Sequence, residues 1–165
     1  MWQEVTSQTP AEAKRFIEIM GSMAQWYADT LTVDRLRDLL QRKIDAHAWY
    51  YDDGTNEVVA HYLRQPLLAA WRFQMVGAGR CADLAAAMAI VARKLCILLE
   101  VTQMPGYAVI SQRATPKALQ FYAAAAQQAR QVALEVAVIK KANCNILVFA
   151  PPGVDTTALR QALKG

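Results

Sequence analysis

The stretch FQMVGAGRC, residues 73–81, decides how the rest of the chain is read. Before it, LLAAWRFQM (67–75) has the apolar and aromatic content of a strand. After it, Leu84, Met88, Val91, Leu95 and Leu98 recur in steps of four, three, four and three, the spacing of one helix face. Two glycines and an arginine at such a handover suit either a tight turn or an anion seat. The first N–H groups of a helix have no internal partners, and the helix dipole is positive there. Glycines at 77 and 79 lack the Cβ atoms that would hold an anion away from the backbone, and Arg80 adds a mobile positive charge. The anion reading therefore requires bare amides. The spacing is neither a three-glycine dinucleotide fingerprint nor a phosphate loop ending in Lys-Ser/Thr.

Working outward, WQEVT (2–6) reads as an opening strand, and Thr9-Pro10-Ala11-Glu12 has the form of a capping box with Pro at the first helical position. Phe16, Met20, Met23, Ala24 and Tyr27 predict a first helix reaching about Tyr27; Leu36, Leu39, Leu40 and Ile44 predict a second starting near Thr32. AWYYDD (48–53), EVVAHYLR (57–64) and LLAAWRFQM form a meander, with a hairpin signal at Asp53-Gly54 and a break at Pro66. Beyond the central helix come a strand GYAVISQR (106–113) and a helix opened by Thr115-Pro116 with Ala118, Phe121, Tyr122 and Ala125 facing inward. Strands VALEVAVI (132–139) and NILVFA (145–150) follow, then a short helix in DTTALRQALK (155–164). Because a meander pairs antiparallel, this order predicts an α/β (α+β) fold: a mixed, mostly antiparallel sheet with helices on both faces.

At 165 residues, the chain reads as one domain, 1–165. Apolar residues make up 55% and charged residues 19%, which excludes a disordered chain. Eighteen Lys and Arg against fourteen Asp and Glu give +4, a balance that favours an anionic ligand, but no basic block points to nucleic acid. Cys81, Cys96 and Cys144 are far apart and lack zinc spacing, so they read as buried free thiols, with no metal expected. The start has no signal-peptide pattern, and the most apolar run, LAAAMAIVARKLCILL (84–99), is interrupted by Arg93 and Lys94 short of a bilayer span. A soluble, cytoplasmic protein is expected.

Gln74-x-x-Gly77-x-Gly79 resembles the Q/R-x-x-G-x-G/A signature of the GCN5-related N-acetyltransferase (GNAT) superfamily, and TPKALQFY (115–122) resembles that family's N-x-x-A-x-x-x-Y segment, with Ala118 and Tyr122 in register and Thr115 in place of Asn. The order of elements is also similar to the GNAT order. The resemblance implies acetyl-CoA as cosubstrate, its pyrophosphate held by Gln74, Met75, Val76, Gly77, Ala78, Gly79 and Arg80, with Thr115 also on the cofactor side. It implies that the pantetheine arm lies between two splayed strands, LLAAWRF and GYAVISQ, and that a strand N–H polarises the thioester carbonyl. Tyr122 would donate to the departing thiolate as an amine of a small molecule or protein attacks directly. Read from the residues alone, Tyr122 is equally a core aromatic. Glu57, Asp52, Asp53, His61 and Glu100 are the titratable candidates for a base, and none is assigned. Two departures stand out. Only twenty residues separate Gly54 from Gln74, and AAAAQQARQ (123–131) replaces the family's Gly-Phe after the tyrosine helix. These, with the aromatic run Trp49-Tyr50-Tyr51, keep open a non-catalytic GNAT-like module for protein binding or assembly, such as a phage virion or host-targeting protein. A homodimer is among the arrangements the resemblance allows.

Overall fold

The structure, a computed structural model, describes residues 1–6, 8–23, 25–42 and 45–165. The chain runs through β1 (Trp2–Glu4), α1 (Pro10–Met23), α2 (Gln25–Thr30), α3 (Val33–Arg42), β2 (His47–Asp52), β3 (Glu57–Gln65), β4 (Ala70–Ala78), α4 (Leu84–Thr102), β5 (Gly106–Ser111), α5 (Pro116–Gln131), β6 (Glu135–Lys140), β7 (Cys144–Ala150) and α6 (Thr157–Lys164). The strands form one sheet in the order β1-β2-β3-β4-β5-β7-β6. Among the described residues, β4 and β5 alone pair in parallel. The expected mixed, mostly antiparallel sheet is what the chain builds.

Among the described residues, three helices precede β2 against the two expected. The apolar spacing alone joins α1 to α2; Gly21 accounts for their crossing. A Cβ on Gly21 would stand 3.2 Å from the Ala28 Cα, so the two backbones meet where no side chain intervenes. Ala24 and Ile44, assigned to helix faces from sequence, lie outside the described residues. At the start of α1, the Thr9 carbonyl takes the Ala13 N–H at 3.0 Å. The Thr9 hydroxyl faces back, accepting the Thr6 N–H at 2.8 Å. Thr115 does cap α5 as expected, its hydroxyl accepting the Ala118 N–H at 3.1 Å.

The strand expected over 67–75 is shifted. Pro66 starts a single 3-10 turn, Pro66–Leu68, that ends with Ala69 in the left-handed region at φ 47°, and β4 begins at Ala70. It then runs on through Val76, Gly77 and Ala78, opposite Ala60, Val59 and Val58. Gly77 therefore lies inside a strand, not in the turn. With β3 and β4 each nine residues long, the meander is short in its connections rather than its strands.

Opposite the step from His61 to Tyr62, β4 spends one extra residue, Gln74, as His61 faces Met75 and Tyr62 faces Phe73. This bulge reverses the alternation of side chains. Phe73 lies on the α4 side, where a Cβ at Gly106 would touch both Phe73 and Leu99. Gly77 lies on the α1 side, against Met23 and Ile19. Met75, two residues before Gly77, shares that side, as does His61, edge-on to Phe16 of α1. Helices α4 and α5 pack against each other and so share one layer. With Ala87, Met88, Ile90, Val91, Ala92, Leu95 and Leu99 all buried, α4 is the core helix. Among the described residues, no helix is long and apolar enough to cross a membrane.

Candidate active site

β4 and β5 pair only at Trp71↔Gly106 and Arg72↔Tyr107. Beyond those residues β4 continues along β3 and β5 along β7, so the two strands diverge. The Gly79 N–H donates to the Glu57 carbonyl at 2.9 Å, which fixes the phase of the antiparallel ladder. Alternation then turns Gly77 and Met75 toward β3, and the main-chain groups of Val76 and Ala78 toward the open side. From the α4–α5 layer, Tyr122 reaches into the divergence. Its hydroxyl donates to the Met75 thioether at 3.8 Å, a soft and weak acceptor. Burial pushes this phenol up to about 12, so it stays protonated at neutral pH. At the start of the same helix, the Thr115 hydroxyl donates to the Met23 carbonyl at 3.0 Å, tying α5 to the end of α1.

The turn after β4 is differently furnished from what the glycines suggested. Several of its amides are not bare. The Arg80 N–H donates to Glu57 Oε1 at 3.2 Å, and the Ala82 N–H to Asn56 Oδ1 at 3.1 Å. Asp83 caps α4 by accepting the Ala86 N–H at 2.7 Å. Glu57 is 3% exposed and held in two-pronged fashion by Arg15 of α1, Nε to Oε2 at 2.8 Å and Nη2 to Oε1 at 2.7 Å. The Tyr50 hydroxyl also donates to Oε2. Gly79 has no Cβ because the ion pair occupies that space: an added Cβ would lie 2.6 Å from Arg15 Nη2, and closer still to Glu57 Oε1. Arg80 is exposed, and its guanidinium binds Asp52 Oδ1 at 2.7 Å.

The candidate bases separate on these terms. The bonds from Arg15, then those from Tyr50 and the Arg80 amide, outweigh burial and hold Glu57 down to about 2, too weak a base for an ammonium proton. Asp52 accepts the Gly54 N–H and Asp53 those of Thr55 and Asn56, so both serve the hairpin turn. Glu100 is exposed on α4 beside the Cys96 thiol, at 3.4 Å. His61 alone neighbours Met75. It is buried, its Nδ1 lacks a hydrogen-bond partner, and burial lowers it to about 4, leaving a neutral ring. The cysteines are free but half-buried rather than fully buried.

Arg15, 42 residues from Glu57, carries no local signal in the sequence. Neither does Arg72, whose positive charge lowers the Tyr27, Tyr107 and Tyr122 phenols against the larger upward push of burial. The Glu57 pair also has a pH signature. A depressed carboxylate contributes stability that is present above its ordinary value near 4.5 and lost as pH falls toward 2. Thermal melts between those values are expected to fall more steeply for the wild type than for Glu57→Gln. Equal slopes would remove the pair from the list of stabilising contacts.

No protein-family model matches the sequence, and no curated protein sequence does. Solved structures do match in fold. An aminoglycoside 6'-acetyltransferase type Ii superposes with a TM-score of 0.58 at 10% identity, over 90% of this chain and 95% of that one. The aminoglycoside 6'-N-acetyltransferase from Enterococcus faecium gives 0.54 at 10% identity, over 90% and 94%. An aminoglycoside 6'-N-acetyltransferase complexed with coenzyme A gives 0.55 at 10% identity, over 90% and 94%. The chain has a GNAT-like fold, and at this identity the likeness is one of fold.

Proposed function

We propose that the protein is an acetyltransferase that moves an acetyl group from acetyl-CoA to an amine of a small molecule or protein by direct attack. The observation that carries this reading is the protonated Tyr122 hydroxyl standing in the divergence of β4 and β5. The outward main-chain groups of Val76 and Ala78 form an edge that extended pantetheine amides can pair with, and Gln74, Met75 and Gly77 complete that wall. Thr115 and the Gly79–Arg80 turn border it. Acetyl-CoA supplies an activated thioester. A β4 amide donates to its carbonyl oxygen as negative charge develops there. The amine nitrogen forms the new C–N bond, the C–S bond breaks with its electron pair on sulfur, and the nitrogen loses its proton to solvent. Tyr122 steadies the thiolate. Because the phenol is a far weaker acid than a thiol, it does so by donating a hydrogen bond rather than by surrendering its proton.

Titration calorimetry with acetyl-CoA, followed by thiol release in the presence of amines, tests the reading. Heat of binding and amine-dependent thiol release are expected; absence of both overturns it. The second reading, a non-catalytic module of this fold, is favoured by one specific observation: the Gly79, Arg80 and Ala82 amides already have partners from within the chain. Binding without turnover across amine classes would select it.

A further inference from the structure

We infer that the cleft recognises its donor as a pantetheine thioester, with no contribution from a phosphate at the turn between β4 and α4; this rests on the acetyltransferase reading above. The Gly79, Arg80 and Ala82 amides of this turn donate to the Glu57 carbonyl, the Glu57 carboxylate and the Asn56 side chain. The acceptor at Arg80 is itself an anion, almost free of solvent and clasped by Arg15 and Tyr50. A phosphate seeking the same amide would meet a like charge and would have to strip it from Arg15, leaving a carboxylate buried without its cation.

Among the described residues, the two arginines at this turn already have carboxylate partners. Arg15 binds Glu57 and Glu18, Arg80 binds Asp52, and Asp83 adds a carboxylate at the α4 N-terminus. The glycine at 79 is accounted for by the ion pair its missing Cβ admits, with no ligand needed to explain it. The edge of β4 facing the divergence is different in kind. It offers neutral main-chain groups that match the two amides of pantetheine and carry no preference for phosphate.

Calorimetry on the whole wild-type protein with acetyl-pantetheine, acetyl-phosphopantetheine and acetyl-CoA, at one ionic strength, tests the inference. Dissociation constants within about threefold of one another are expected, because a charge-assisted bond gained by the phosphate would improve binding about tenfold or more. Phosphate-bearing donors binding at least about tenfold tighter would overturn the inference and leave the acetyltransferase reading standing. Binding of none of the three overturns both. Glu57→Gln keeps the volume and removes the charge, so a folded Glu57→Gln protein is expected to gain about tenfold for acetyl-phosphopantetheine and nothing for acetyl-pantetheine. No such gain would overturn the assignment of Glu57 as the group excluding phosphate. If circular dichroism shows that this variant is unfolded, the three wild-type titrations decide alone.

Discussion

Replacing Tyr122 with Phe is expected to slow acetyl transfer about 100-fold while leaving donor affinity within about threefold. The hydroxyl's acceptor in the resting protein is a thioether at 3.8 Å, so little ground-state bonding is lost with it. The ring stays, and with it the packing of a residue that is 6% exposed. What disappears is the donor to sulfur as the C–S bond breaks, an interaction absent before that moment, and such losses lower kcat more than KM. Stability should move by less than about 1 kcal/mol, because the deleted group satisfies only a weak acceptor. A Tyr122→Phe enzyme with wild-type kcat would reduce this residue to a core aromatic.

The largest effect on stability is expected at Gly79. A valine there is predicted to lower unfolding free energy by about 3 kcal/mol, measured by denaturant titration with an unchanged m-value. Backbone conformation is not the reason, since Gly79 does not need a positive φ, unlike Gly54 at 88° and Gly153 at 87°. The reason is the space beside it. A side chain at 79 drives into Arg15 and Glu57, and parting them strands an ionised carboxylate in the interior. Combining Gly79→Val with Glu57→Ala should therefore cost less than the two single changes summed, because they act on one interaction. Strict additivity would show that the clash is relieved elsewhere.

Parts of this architecture are written locally and were readable. The step pattern from Leu84 to Leu95 marks α4, Thr115-Pro116 marks the start of α5, and Asp53-Gly54 marks the hairpin, because each signal lies within a few residues of its effect. Tyr122 could be placed on an inward helix face for the same reason. Other parts depend on distant partners. A glycine inside a strand looks like a glycine in a turn until Met23 is brought against it, so by sequence alone Gly77 goes with the loop. Gly79 invited an anion, and an anion is there, but it comes from β3 and is neutralised from α1. The join between α1 and α2 was hidden because apolar periodicity persists through a crossing that depends on Gly21 and Ala28 meeting.

Gln74, the unmatched residue of β4, has a consequence for how this chain can change over time. Because it shifts the phase of the strand, it lets Phe73 serve one layer while Met75, Gly77 and Gly79 serve the other. Losing that single codon would make Phe73 and Met75 neighbours on a regular ladder, still opposite Tyr62 and His61, so each would keep its layer and the thioether its place against Tyr122. A one-residue change of length elsewhere in β4 would instead turn over every side chain beyond it, so Gln74 marks the place where this strand can shed a residue and keep its pairing.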